Sequence, residues 1–220
     1  NELKFRLNRT ELLLEINGQV AGLNDLSQIL RKVVKFLTQE LNADRATLFL
    51  NDDETNELYS RVAQGDLVRE IRILNTVGIA GAVYQSEAGE IVHDVSKDTR
   101  FNREIDQQTG FKTKNMICCP VKNFAGKTIG VIEVLNKKVG RFTKDNLLFV
   151  EAAASRAAKS IQNAQNAELY EKKRAKEIEF MNIVSDVTAE IDLNKLLRKV
   201  MEEAARMLNA DRATLFLNDS

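Results

Sequence analysis

The spacing of apolar residues predicts two helices near the start of the chain. Residues 10–22 carry Leu13, Ile16 and Val20 at helical spacing. A second apolar stripe begins after Asp25, a residue that commonly caps helix N-termini. Its members are Leu26, Ile29, Leu30, Val33, Phe36, Leu37 and Leu41. Both helices are therefore expected to bury one face.

After this stripe the hydrophobic period becomes that of strands. Apolar runs bounded by turn residues predict strands at 45–50, 57–64, 68–74, 90–95, 115–122 and 127–136. Short helices are predicted at 78–89 and 99–108, and a long one runs from Thr143 to about Glu190. This order predicts an α+β fold: a central antiparallel sheet with helices on both faces, followed by a long connecting helix. In that helix Val150, Ala154, Ala157, Ile161 and Ala164 form a narrow seam near heptad spacing.

An internal repeat sets the expected organisation of the chain. Residues 41–52 read LNADRATLFLND, and residues 208–219 repeat the same letters. The distance between the two copies indicates a duplicated domain, because it far exceeds a solenoid unit, which is only about 20–50 residues long. We therefore expect an N-terminal helix (1–24), a first domain (25–160), a connecting helix (161–190) and the start of a second, incomplete repeat (191–220).

Composition narrows the possible functions. Lys+Arg and Asp+Glu each total 32, so the net charge is zero, which argues against binding to nucleic acid. No apolar run is long enough to cross a membrane. The two cysteines, Cys118 and Cys119, are adjacent and favour a reducing, cytoplasmic location. The single histidine, His93, falls in a predicted strand and is interpreted as structural.

No group of residues has the pattern of a catalytic or metal site, so a chain without enzymatic activity is expected. The stronger lead is Glu133, which alternation places on one strand face with Val131 and Leu135. A carboxylate there needs donors, from the protein or from a ligand. Arg45 and Thr47 share a face of another strand and add a donor and a hydroxyl.

Two further segments offer polar groups. The sequence GIAG at 78–81 opens a predicted helix, so the amides of Ile79 and Ala80 would be free to bind an anion. Thr109 and Thr113 flank Gly110 in a polar segment. Ordinary short helices and solvated loops have the same features, so each signal is weak by itself.

Taken together, these residues resemble a GAF domain of the cyclic-nucleotide-binding subclass. The resemblance is carried by Arg69 to Lys137, with its TGFKTKN segment, and by the tandem repeat and long joining helix. Such domains occur in tandem in phosphodiesterases and in adenylyl cyclases of the cyanobacterial type. The resemblance therefore implies a regulatory fragment, whose parent chain is predicted to be an adenylyl cyclase.

The subclass has a signature of Asn-Lys, a gap, Phe, three residues and Asp-Glu. Asn136, Lys137 and Phe142 match it, whereas Asn146 and Leu147 occupy the acidic positions and Asp145 lies one residue early. In the family the contact between the lysine and the acidic half braces the pocket. The departure therefore concerns the support of the pocket more than its contacts.

The resemblance assigns ten residues to the ligand: Arg45, Thr47, Ile79, Ala80, Phe101, Asn102, Asp106, Thr109, Thr113 and Glu133. Arg45 and Thr47 would meet the base. Ile79 and Ala80 would bind the cyclic phosphate through backbone amides, and Phe101 and Asn102 would close the site. The remaining acidic and hydroxyl side chains would hold base and ribose. Because arginine only donates hydrogen bonds, Arg45 favours the N1 or N7 acceptors of adenine, and hence cAMP over cGMP.

The expected function is a cAMP sensor that signals through the connecting helix to a downstream adenylyl cyclase. A homodimer through the N-terminal and connecting helices is expected. The main alternative is a ligand-free GAF module that only dimerises. A bilin photosensor is a further alternative, but it needs an accessible cysteine, and both cysteines fall in a predicted core strand.

Overall fold

The computed structural model describes residues 14, 15, 18, 20–23, 25–60, 70–188 and 192–216. The predicted helix at 10–22 lies largely outside the described residues, although positions 14, 15, 18 and 20 are helical. The chain forms two compact units, Asn1–Gln165 and Asn166–Ser220. In the described part of the chain, no helix combines the length and the apolar character needed to cross a bilayer.

Six strands form one antiparallel sheet in the first unit. They are β1 (Ala43–Asp52), β2 (Glu57–Ser60), β3 (Ile71–Leu74), β4 (Glu90–Val92), β5 (Met116–Lys122) and β6 (Thr128–Lys137). Their order across the sheet is β3-β2-β1-β6-β5-β4, so the two longest strands pair at its centre. Gly130 permits their close approach, because a Cβ at this position would collide with the carbonyl oxygen of Phe49.

Five α-helices accompany the sheet in the described residues. They are α1 (Leu26–Glu40), α2 (Gly78–Ser86), α3 (Arg103–Thr109), α4 (Lys144–Thr188) and α5 (Leu193–Met207). The predicted N-cap of α1 is confirmed, since the Asp25 carboxylate accepts a hydrogen bond from the Gln28 amide at 3.0 Å. At the start of α4, Thr143 and Asn146 cap each other, each amide donating to the other's side-chain oxygen at 3.2–3.3 Å.

The sheet separates two apolar clusters. On one face, α1 and the first part of α4 bury the larger cluster, which includes the whole predicted stripe of α1. All five residues of the predicted α4 seam are buried in this cluster within their own unit. That part of α4 is therefore committed to the domain core, and the seam is not a surface for a second copy. The smaller cluster on the other face includes Phe49, Val131 and Leu135 with residues of α2.

The prediction of a strand through residue 95 is wrong in its last part. The backbone leaves the sheet after Val92, and a 3-10 turn at Val95–Lys97 begins with Asp94 as its cap. His93 is exposed at this bend, so it is not a buried structural histidine. Of the predicted strands at 57–64 and 68–74, the structure shows Glu57–Ser60 and Ile71–Leu74, and residues 61–69 lie outside the described residues.

The second unit contains the counterpart of α1. Helix α5 has the same length as α1 and is capped by Asp192 as α1 is by Asp25. Residues Asn42 and Asn209, just beyond the two helices, have φ values of 49° and 50°. Residues 211–216, whose counterparts belong to β1, form no strand.

Candidate ligand-binding site

One cavity lies between the sheet and helices α2 and α3. Its volume is about 50 Å³. All ten residues assigned to a ligand from the sequence line it: Arg45, Thr47, Ile79, Ala80, Phe101, Asn102, Asp106, Thr109, Thr113 and Glu133. The structure thus brings together side chains that are up to 88 residues apart in the sequence. That they contact a ligand stays a prediction.

Strands β1, β6 and β5 place three polar residues side by side in the sheet, and two of them, Thr47 and Glu133, line the cavity. Thr47 lies directly opposite Glu133, which lies opposite Cys118. Glu133 is half-buried, and desolvation, reinforced by the negative charge of Asp106, raises the pKa of its carboxyl to about 7. Burial, with a smaller contribution from Glu133, also raises the pKa of the Cys118 thiol. The floor therefore disfavours negative charge.

Arg45 supplies a cationic group to the cavity. Its guanidinium carbon lies 4.8 Å from the centroid of the Phe111 ring, within the range of a cation–π contact. Desolvation lowers the pKa of Arg45, and the charge of Asp106 opposes this shift. The guanidinium keeps its positive charge all the same, because an arginine pKa lies far above neutral pH.

Asp106 fixes the segment that follows α3. Its two carboxylate oxygens accept hydrogen bonds from the amide and the hydroxyl of Thr113, both at 2.7 Å. The Thr109 hydroxyl donates to the carbonyl of Ile105 at 2.8 Å. Both threonine hydroxyl protons are thus used within the protein, and towards a ligand these hydroxyls offer their lone pairs.

The first turn of α2 opens onto the cavity. Its N-cap residue, Val77, has no side chain that caps the helix, and the first intrahelical amide bond runs from Gly81 to the carbonyl of Val77 at 3.1 Å. The amides of Ile79 and Ala80 therefore precede the regular helical ladder at the positive end of the helix dipole. Asn102, opposite Gly78, caps α3 by accepting a hydrogen bond from the Glu104 amide at 2.9 Å.

The predicted bracing residues lie behind the cavity. The Asn136 side chain donates to the carbonyl of Lys112 at 2.8 Å and accepts from the amide of Lys114 at 2.7 Å. The ammonium of Lys137 donates to the carbonyl of Leu41 at 2.9 Å and lies 5.6 Å from the Phe142 ring centroid. Desolvation lowers the pKa of Lys137.

The acidic half of the signature has another role in this chain. Asp145 is exposed in the first turn of α4, where a negative charge favours the helix dipole. Asn146, which occupies an acidic position of the signature, caps the same helix. Asn136 and Lys137 thus bond mainly to backbone carbonyl and amide groups, and that they brace the cavity stays a prediction.

Sequence reasoning missed the apolar part of the lining. These residues are Phe49, Ile71, Ile73, Gly78, Ile105, Phe111, Met116 and Leu135. Strand alternation places Phe49 and Leu135 on the cavity face, so the signal for them was present. Ile105 and Phe111 occur in a polar segment whose pattern gives no indication of a pocket.

An antiparallel sheet, with a cavity between it and two short helices, defines the architecture of this α+β domain. The model of the GAF domain family matches residues 25–161. The chain therefore belongs to the GAF domain family.

Relatives and solved structures agree with this assignment. The cGMP-specific 3',5'-cyclic phosphodiesterase of Drosophila pseudoobscura pseudoobscura is 30% identical over 97% of this chain and 21% of its own length. The dual 3',5'-cyclic-AMP and -GMP phosphodiesterase 11A of Takifugu rubripes is 32% identical over 96% of this chain and 25% of its own length. The chain thus spans about a quarter or less of these relatives.

Among solved structures, the GAF domain of a phosphoenolpyruvate-protein phosphotransferase from Coxiella burnetii superposes with a TM-score of 0.66. It is 22% identical to this chain, and the match covers 74% of this chain and 98% of that domain. At this identity the likeness establishes the fold and nothing further.

Proposed function

We propose that the first domain is a cyclic-nucleotide sensor that prefers cAMP. The observation that carries the proposal is the combination, in one cavity, of an uncapped helix N-terminus with Arg45, Thr47 and Glu133 on the sheet floor. A cyclic nucleotide has a single negative charge, which helix-terminal amides can bind without a lysine. Its base has donor and acceptor groups at its edge, which the floor side chains can meet. The phosphodiesterase relatives, named for cyclic nucleotides, support the same ligand class.

Binding requires the cavity to widen. Sites that enclose small ligands have volumes of about 300–1,000 Å³, whereas this cavity measures about 50 Å³. Helix α3 is the element that can yield, because its described cavity-lining residues Ile105, Asp106 and Thr109 are only half-buried. We infer that the nucleotide enters by displacement of α3 and then holds it closed.

We propose that this change reaches the output through α4. The helix packs on the sheet through Val150, Ala157 and Ile161 and continues to Thr188. A downstream adenylyl cyclase, as predicted from the resemblance, would respond to it. A phosphodiesterase output is the competing prediction, which the relatives favour.

Calorimetric titration with cAMP and cGMP tests the proposed function, after unfolding and refolding to remove co-purified nucleotide. We expect binding at micromolar concentration or tighter, with cAMP favoured, and loss of binding in Arg45→Gln. Arg31→Gln, on the exposed side of α1, is the matched control and should bind as the parent does. No binding of either nucleotide to a folded sample would overturn the proposal in favour of the ligand-free dimerisation module.

A separate observation supports a second role, which is dimerisation. The later part of α4 exposes a series of large apolar side chains: Leu169, Tyr170, Ile178, Phe180 and Met181. We propose that a second copy of the chain covers them. Sedimentation should show a dimer that Ile178→Glu combined with Met181→Glu dissociates, while the control Lys176→Glu does not. A monomeric parent chain would contradict this role.

A further inference from the structure

Glu133 is the carboxyl group of the cavity that has no hydrogen-bonding partner among the described residues. Within the described residues, no side chain forms a hydrogen bond or ion pair with it. Its neighbours across the strands are Thr47 on β1 and Cys118 on β5, and neither is a cation. Asp106, by contrast, holds two hydrogen bonds from Thr113. The two acidic groups of the cavity therefore differ in how they are satisfied.

The charged groups around Glu133 do little to stabilise its ionised, carboxylate form. Helix α3 contributes the negative charge of Asp106, and β1 contributes Arg45, on which Asp106 acts electrostatically. On the far side of Cys118, β4 contributes Glu90, whose charge is met by Arg100 at 2.9 Å. A cyclic phosphate would bring a further negative charge into the same enclosure. A negative charge close to a carboxyl group without donors disfavours the ionised form of that group.

The two forms of a carboxyl group match different nucleobases. A neutral acid has one donor and one acceptor, which complements the N1 acceptor and N6 donor of adenine. A carboxylate has only acceptors, which complements the N1 and N2 donors of guanine. When the carboxyl group is in the wrong protonation state for a base, two acceptors or two donors face each other, which lowers the affinity.

We propose that the protonation state of Glu133 sets the nucleotide preference of the cavity: the neutral acid selects cAMP and the carboxylate selects cGMP. The inference rests on the proposed function and adds to it a proton as co-ligand. Binding of cAMP at alkaline pH then takes up a proton from solution, and binding of cGMP at acidic pH releases one. Arg45, as a donor, would meet the N7 acceptor, which adenine and guanine share.

Calorimetric titration of the full chain with each nucleotide between pH 6 and pH 8.5 tests this inference. We expect the ratio of the cGMP to the cAMP dissociation constant to fall by at least about tenfold as the pH rises across this range. Titrations in two buffers of different ionisation enthalpy should show the proton uptake and release. A ratio that does not change with pH, in a chain that binds nucleotide, overturns the inference and leaves the proposed function intact. Failure to bind either nucleotide overturns the proposed function itself.

Two variants assign the effect to Glu133. Glutamine has one donor and one acceptor at every pH, so Glu133→Gln should make the ratio independent of pH. His93 is the only histidine in the sequence, and it is exposed outside the cavity lining. His93→Gln should therefore keep the full pH dependence. A pH dependence that survives in Glu133→Gln or disappears in His93→Gln contradicts the inference.

Discussion

Asn136 shows how one residue supports the cavity from behind. It is buried, its backbone φ is 56°, and its side chain joins the carbonyl of Lys112 to the amide of Lys114. Few residue types combine this backbone conformation with a side chain that both donates and accepts. The segment that leads from α3 into β5 therefore depends on it.

Asn136→Ala should lower the free energy of unfolding by about 2–4 kcal/mol, because two buried backbone groups lose their partners. Chemical denaturation measures this loss. The control is Asn56→Ala, since Asn56 has the same φ of 56° in an exposed turn. It should cost only about 1 kcal/mol from backbone strain. Equal losses in the two variants would show that the hydrogen bonds of Asn136 contribute little.

Glu133 links stability to pH in the absence of any ligand. Its pKa rises from 4.5 to about 7 on folding, so the fold favours the protonated form. This contribution to stability is complete below pH 4.5 and is lost as the pH rises through 7. Glu133→Gln should therefore be more stable than the parent at pH 8, by on the order of 1–3 kcal/mol. The difference should vanish near pH 4.5, and denaturation curves at both pH values measure it.

At the residue scale, the sequence predicted ten of the residues that line the cavity but not how each polar group is used. Alternation along two strands is enough to place Thr47 and Glu133 together. The contacts of Thr113 with Asp106 depend on a seven-residue helix and its following loop, whose path no local pattern specifies. The exposure of His93 depends on where an edge strand stops pairing.

At the element scale, we expect α3 to act as the movable cover of the cavity. It is short, and its residues Arg103, Glu104 and Gln107 are exposed while its lining residues are half-buried. Helix α1, by contrast, buries a full apolar stripe. Elements with few buried contacts open most readily.

Hydrogen exchange should report this difference. We expect the amides of α3 to exchange faster than those of α1, and a saturating concentration of cAMP to slow α3 at least about tenfold. Helix α1, on the opposite face of the sheet, serves as the internal control and should change little. Slowing of α1 and α3 by the same factor would indicate general stabilisation rather than closure of a cover.

Helices and strands could be predicted from the sequence where a single hydrophobic pattern determines how they pack. The stripe of α1 identified both the helix and its buried face. The seam of α4 was visible too, but small residues at this spacing suit a domain core as well as a helix pair. Only the position of the sheet shows that Ala154 and Ala157 pack within their own unit.

At the scale of the whole molecule, the first unit contains its complete core. Every residue of the two apolar clusters lies at or before Ala164. A chain ending at Gln165 should therefore keep its melting temperature within about 3 °C and its cAMP affinity within about threefold. Calorimetry measures both. A much lower melting temperature would show that the second unit stabilises the first.

The sequence of β1, a central strand of the sheet, occurs twice in the chain, at 41–52 and again at 208–219. Phe49 is 1% exposed and its counterpart Phe216 is 90% exposed, so neighbours rather than local sequence decide which copy becomes a strand. In a concentrated refolding mixture, β6 of one molecule can pair with the repeated segment of another, which has the same side chains in the same order, with Arg212 in the place of Arg45. Strand exchange between molecules is then the natural misfolding route of this chain, and refolding yield should fall as protein concentration rises.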